Sequence, residues 1–365
     1  MQIFEQILRG AIASGASDIH IKTGATVTFR VARDLVPVEA PTPTAEWVER
    51  VLNHIVPPHL RERLDHEHEV DFAYAPPGLG RFLVNVFQQR GDFVLSMRLV
   101  KSAMRDFHAL NLPGAIREIA AIPRGIVIIA GATGSGKSTT LAAMVEHINQ
   151  TARRHIITLE DPIEYLFTDR MSIIEQREIG LDTTSFATGL KNVLRQDPDV
   201  LVIGEMRDPA SIAAAISAAN IGHLVISTLH TADAAKSIQR ILEFFPGSDR
   251  ESARRQLATT LHAVICQKLI AGTRGNILPA VEILINNASV EKLIAGGALE
   301  KLGGAMEMGG GDGMQTFDQA LYEMVKAARI TQAEALAHSP APEALKMRLQ
   351  GVVLSESRRI LGSRE

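Results

Sequence analysis

An apolar run, Gly125 to Ala130 (GIVIIA), leads straight into Gly131-Ala132-Thr133-Gly134-Ser135-Gly136-Lys137-Ser138-Thr139, and helical periodicity then carries from Lys137 to about Asn149. Few folds accept that order. A strand that turns through closely spaced glycines into a helix sends the chain back along the sheet, so a further strand of the same sheet runs parallel to the first. The pattern recurs downstream, with strands expected at His155 to Leu159, Val200 to Ile203 and His223 to Thr228, and helices at Pro209 to Ala219 and Ala234 to Phe244. Because these strands are apolar without alternation, both faces of the sheet must be covered, which makes this part of the chain α/β.

The 365 residues divide by their punctuation. Residues 1–100 read as a small α+β domain. Proline pairs break it, and strands Arg81 to Gln89 and Phe93 to Val100 pair around a Gln89-Arg90-Gly91-Asp92 turn. Residues 101–124 read as a linker carrying a short helix between Pro113 and Pro123, residues 125–285 as the parallel-sheet domain, and residues 286–365 as a helical region. Within that last region the stretch GGAMEMGGGDG, Gly303 to Gly313, reads as a mobile linker. Hydrophobic residues make up 46% of the chain, enough for a substantial core, and the net charge of −3 gives no footing for a nucleic-acid coat. The single Cys266 excludes an internal disulfide or a cysteine-rich zinc site. The amino-terminal segment lacks the basic and apolar parts of a signal peptide, and no run approaches the roughly 18 apolar residues of a membrane span, so direct membrane insertion is not expected.

Gly131 to Ser138 fits G-x-x-x-x-G-K-[ST] in its proper strand–loop–helix setting. Glycines let backbone N–H groups converge on phosphates, and the helix start adds a favourable dipole. Lys137 supplies charge to the terminal phosphates, and Ser138 offers a hydroxyl to Mg²⁺. The pattern implies ATP as ligand. Glu205, after the strand Val200 to Ile203, is an acid at the carboxyl end of a strand expected beside the P-loop strand, where a Mg²⁺-linked water would be held; a surface strand cap is the other reading. Glu160, Asp161 and Glu164 form a second acidic cluster after HIITL. Pro162 blocks simple helix continuation and presents these carboxylates at the sheet edge, where one can activate water; an acidic helix start is the other reading. His223 and His230 bracket LVISTL, and His230 at a strand-to-helix junction can sense a γ-phosphate; a structural histidine at a strand end is the other reading. Arg81, Arg90 and Arg98 lie on or between the first domain's last strands, where they can neutralise phosphate charge or simply be solvated. Asp65-His66-Glu67-His68-Glu69 reads as a solvated charge run rather than a metal cluster.

Taken together the motifs resemble the type II/IV secretion ATPase superfamily, and within it the pilus-retraction (PilT-like) branch. GATGSGKST resembles its Walker A, TLEDPIEY its Asp box, LRQDPDVLVIGEMRD its Walker B and GHLVISTLHTADAAKSIQRI its His box, while ASDIHI and GMQTFDQAL resemble retraction-ATPase signatures. The resemblance implies a RecA-like P-loop domain preceded by a PAS-like domain and followed by helices, assembled as a homo-hexamer. It makes Glu164 the catalytic glutamate, Glu205 the Walker B acid, His230 and His223 the His-box histidines, and Arg81 and Arg98 arginine fingers. It also implies a cytoplasmic motor held at the inner membrane through a pilus platform protein, beside a paralogous retraction or extension ATPase. Two departures matter. One cysteine cannot build the four-cysteine zinc module of extension and secretion motors, and the AIRNLIRE-like segment reads Ala288 to Ala295 (ASVEKLIA), which leaves room for an accessory, PilU-like paralogue. Rival readings are a non-hydrolysing nucleotide-dependent scaffold, against which the intact acids speak, and a nucleic-acid translocase, for which no basic, aromatic-interleaved tract exists.

Overall fold

The computed structural model describes residues 1–32, 34–100, 105–206 and 208–351. Lys101–Met104 of the expected linker, Arg207 of the GEMRD motif and residues 352–365 of the carboxyl-terminal region lie outside the described residues. The chain forms two compact units, Met1–Ala103 with Pro162–Leu166, and Met104–Asp161 with Phe167–Glu365.

The first unit runs α1 (Gln2–Ala13), β1 (Asp18–Lys22), β2 (Thr28–Val31), β3 (Asp34–Pro37), α2 (Ala45–Ile55), α3 (Pro58–Glu67), β4 (Glu69–Tyr74), β5 (Phe82–Gln89) and β6 (Asp92–Leu99). Its strands make an antiparallel sheet in the order β3-β2-β1-β6-β5-β4. The hairpin read from sequence is present. Gln89 pairs with Asp92, and Arg90 and Gly91 both take positive φ, 55° and 90°, the two-residue turn whose twist matches that of its strands. Period-two alternation buries Phe82, Val84 and Val86 of β5 on one face. Against that sheet pack Phe4, Ile7 and Leu8, which recur at helical spacing in α1. Thr44 caps α2 by accepting from the Trp47 backbone N–H.

The second unit continues with α4 (Ala115–Ala120), β7 (Gly125–Ala130), α5 (Lys137–Thr151), β8 (His155–Glu160), β9 (Ile173–Glu178), α6 (Phe186–Val193), β10 (Val200–Ile203), α7 (Pro209–Asn220), β11 (Leu224–Leu229), α8 (Ala234–Glu243), α9 (Gly247–Thr260), β12 (Leu261–Ala271) and β13 (Ile277–Ile285). It closes with α10 (Ala288–Gly296), α11 (Leu302–Met308), α12 (Phe317–Lys326), α13 (Gln332–His338) and α14 (Pro342–Leu349). The sheet order is β13-β12-β7-β11-β10-β8-β9. Every pairing within it is parallel except β12 with β13. The apolar runs explain this: β7, β10 and β11 are buried at every position. Alternate residues enter two separate cores, Ile126 and Ile128 on one face, Val127 and Ile129 on the other. No helix among the described residues is long and apolar enough to cross a membrane.

Two expectations are corrected here. Residues 105–124 do not behave as a linker: Phe107, Ile116, Ile119 and Ala120 are buried against Val127 and Ile129 in the sheet's own core. The glycine-rich stretch is likewise structured, as α11 followed by a 3₁₀ turn at Gly309–Asp312. Leu302, Met306 and Met314 are buried there and hold it to the core, which outweighs the low helix propensity of glycine. Cys266 lies on β12 between Ala130 of β7 and Glu282 of β13 and is fully buried; burial pushes its thiol well above the usual range.

Candidate active site

The carboxyl end of β7 delivers the P-loop. Gly131 takes φ 149°, and a Cβ added to it would lie 2.4 Å from Ser135 Oγ and 2.5 Å from the Gln267 carbonyl oxygen. Only a bare backbone fits there. Gly136 caps α5 in the left-handed region at φ 91° with no side-chain cap, so the amides of the first turn are left to an external acceptor. Ala132, Thr133 and Gly134 are exposed, whereas Ser135 and Lys137 are buried and Ser138 and Thr139 half-buried. The loop is braced from β12, where Gln267 accepts from the Thr140 hydroxyl at 2.7 Å. Gly131→Ala is therefore expected to displace the loop. A residue forced into such a conformation costs about 1–3 kcal/mol, so nucleotide affinity should fall about five- to hundredfold by equilibrium titration, with little change in the thermal unfolding of the sheet. Unaltered affinity would show that the loop relaxes freely.

Lys137 Nζ donates to the carbonyls of Gly131, at 2.9 Å, and Ala132, at 3.1 Å. It also lies 3.4 Å from His230 Nδ1, and His230 Nε2 lies 3.4 Å from Glu205 Oε1. An ammonium can only donate, so Nδ1 accepts and the ring proton sits on Nε2, facing the carboxylate. The imidazole thus stands between the P-loop lysine and the Walker-B-like acid. The adjacency expected for Glu205 is corrected by the strand order. β11 lies between β7 and β10, so it is His230, not Glu205, that ends the strand beside the P-loop strand. Glu205 follows Gly204, whose N–H donates to Leu159 O at 2.8 Å and whose carbonyl accepts from Thr228 at 2.6 Å. A Cβ on residue 204 would press to 3.3 Å from Leu159 O and 3.4 Å from Glu160 Cα, which accounts for glycine rather than aspartate before this acid.

Other candidates separate. His223 precedes β11 while His230 follows it, so the two rings lie at opposite ends of a strand, about 20 Å apart at ordinary strand rise. His223 Nδ1 contacts Ala218 O at 2.9 Å and closes the end of α7. In the acidic cluster Glu160 is buried, accepting from Thr158 at 2.6 Å and Gln176 at 3.2 Å, so it is not presented at the sheet edge as expected. A carboxylate in that position needs those donors. Asp161 and Glu164 are exposed, and Glu164 falls in the segment Pro162–Leu166 that belongs to the first unit.

In the first unit, Arg98 opposes Leu83 on β5, which places Arg81 diagonally beside it on the same face; Arg90 sits at the far hairpin tip. Arg98 Nε donates to Asp18 Oδ1 at 2.9 Å, and Ser17 donates to Asp18 Oδ2 at 2.7 Å. Burial raises the Asp18 carboxyl, and the bonds from Ser17 and Arg98 outweigh it, so its pKa ends below the usual value. The histidines and acids of 65–69 end α3 and open β4, with His68 in the left-handed region.

The family model for type II/IV secretion system proteins matches residues 81–284, the interval holding the P-loop, both acids and His230. The chain belongs to the type II/IV secretion system protein family. Within it the protein is similar to a twitching motility protein of Neisseria gonorrhoeae, 40% identical over 326 residues covering 89% of this chain and 84% of the relative. The type IV pilus ATPase PilU of Pseudomonas aeruginosa is 38% identical over 352 residues, 95% of this chain and 91% of the relative. A crystal structure of the pilus retraction motor PilT with bound ADP superposes with a TM-score of 0.87 at 38% identity, covering 93% of this chain and 98% of that one. This secretion-family protein is therefore a PilT-like P-loop ATPase. Two of its polar residues escaped the motif reading, Gln267 beneath the P-loop and the buried Glu282 of β13. Both are lone polar residues in apolar strands, a signal in its own right.

Proposed function

We propose that this ATPase is the subunit of a hexameric motor that uses ATP hydrolysis to retract type IV pili. The observation that carries the reading is the contact series Lys137–His230–Glu205, which joins the P-loop to a neighbouring strand end and gives the triphosphate's terminal charge a route to a mobile element. Backbone amides of residues 131–139 take the phosphates, and Lys137 exchanges its loop carbonyls for phosphate oxygens. Glu164 activates the attacking water, and Arg81 and Arg98 meet the charge that develops on the γ-phosphate. The groups present suit Mg²⁺. Ser138 and Glu205 would supply the hard oxygen donors it takes, Glu205 through water, and Ser135 Oγ is buried beside Gly131 with no hydrogen-bond partner among the described residues. When bound, Mg²⁺ compensates phosphate charge; this chain's residues bind, orient and move the protons.

A ring lets neighbouring subunits act in sequence on a common platform protein at the inner membrane, alone or beside a paralogous motor. The accessory reading draws on a specific feature. The segment Ala288 to Ala295 lies in α10, where it buries Val290 and Ile294 but presents none of the arginines of the AIRNLIRE-like pattern. The test joins light scattering, Mg²⁺-ATPase assay and complementation of twitching in a piliated host lacking its retraction ATPases. A hexamer with turnover that restores twitching unaided supports the main motor. Restoration only when a second retraction ATPase is present supports the accessory role, and a monomer without turnover overturns both.

A further inference from the structure

The GMQTFDQAL segment, Gly313 to Leu321, takes no part in the functional reading so far. It is nonetheless tied closely to the sheet. Gln315 exchanges backbone hydrogen bonds with Ile283 at 2.8 and 3.1 Å, and its side chain donates to Val281 O at 2.7 Å. Thr316 and Gln319 then form a capping box that opens α12. Between the two points of attachment stands Glu282, 5% exposed and directed at two helix starts at once. Its Oε1 accepts from the Ala234 backbone N–H at 2.9 Å, and its Oε2 from the Phe317 N–H at 3.4 Å.

Ala234 opens α8, and the short loop before it begins at His230. That loop has few other restraints. The Thr231 hydroxyl meets Ser237 Oγ at 2.6 Å, and Asp233 caps α8 through the Lys236 N–H at 2.8 Å. His230 meets Lys137 and Glu205 at the start of this loop, and Glu282 ties its far end, at Ala234, to β13. The burial cost of a carboxylate is large, and here it is met by two helix N-termini rather than by a paired cation. A carbon side chain would fill the same space at less cost, so the charge serves the connection.

We propose that Glu282 is a positioning residue for His230, holding the His230 loop in register with the GMQTFDQAL segment so that docking of α12 sets the geometry of the ATPase site. The proposal rests on the reading of His230 as part of the hydrolytic machinery. Glutamine at 282 can accept only one of the two N–H groups, since its amide NH₂ faces the other as donor against donor. One tether is then lost while the shape is kept.

The experiment is a double-mutant cycle on the full chain, reading kcat, KM for ATP, and binding of a fluorescent ATP analogue. Glu282→Gln should lower kcat about tenfold per bound nucleotide with KM and analogue affinity unchanged, and Glu282→Asp should recover part of the loss. In a His230→Ala background Glu282→Gln should add nothing further. A purely structural role would instead lower the melting temperature and the fraction of protein that binds nucleotide, leaving kcat per bound nucleotide at the wild-type value; that result overturns the proposal. So do losses that multiply in the double variant. If Glu282→Gln does not fold, Glu282→Asp carries the same cycle, with the same outcomes. A His230→Ala variant with wild-type kcat removes the role given to His230 itself, and is visible without any change at Glu282.

Discussion

Lys137→Ala is expected to abolish nucleotide binding and turnover together. The ammonium is buried at the P-loop, where its contacts include Gly131 O, Ala132 O and the His230 ring, groups that a phosphate can replace. Each charged hydrogen bond lost costs about 1.5–3 kcal/mol, so the first lost contact alone weakens binding about ten- to hundredfold, and further contacts compound it. The alanine variant also removes the ammonium from the Gly131 carbonyl, leaves the Ala132 carbonyl to the Ser135 N–H, and takes from His230 its neighbour, so the loop should lose order as well. Isothermal titration with ATP and a steady-state phosphate-release assay check this. Binding within a few-fold of wild type would mean that the backbone amides hold the triphosphate unaided.

Glu164→Gln should separate the two properties that Lys137→Ala removes together. The side chain is exposed and four residues beyond the end of β8, with no place in the P-loop, so nucleotide should bind with unchanged affinity. Glutamine cannot take a proton from water, and a general base is worth about 10²–10⁴ in rate. A fall of that size in kcat, with ATP retained on the protein after rapid gel filtration, is the expected result. Turnover within threefold of wild type would move the role to Asp161, the other exposed acid of the cluster, and would leave the glutamate as a surface charge.

What the sequence disclosed, and what it withheld, divides by how local the physics is. The P-loop was legible because its geometry is carried by contiguous residues: Gly131 and Gly136 must bend where they bend, and Lys137 must follow. The strands β7, β10 and β11 were legible for the same reason, since burial on both faces imposes an apolar residue at every position. Their order in the sheet was not. Placing β11 between β7 and β10 depends on which strands pair, and no local pattern fixes that, so Glu205 was set one strand too close and the link through His230 went unseen. His223 and His230 do bracket a strand, as their sequence positions indicated, and β11 sets them at its opposite ends. Gln267 acts on Thr140 of α5, and Glu282 on the starts of α8 and α12, partners distant in sequence, which is again a non-local fact. The glycine-rich segment misled in the other direction. Its composition argued for mobility, while Leu302 and Met306, one helical turn apart, were the better guide.

The burial of Cys266 gives this molecule an internal reporter. A thiol held above its usual pKa and closed off from solvent reacts with an alkylating reagent only when the sheet around it opens. As the chain's single cysteine, it gives one signal with no competing site. It sits between the P-loop strand and the strand that bears Glu282. The alkylation rate therefore measures how often the partition between the nucleotide loop and the carboxyl-terminal helices comes apart, and its slowing under ATP measures how much of the nucleotide's binding energy is held in that partition.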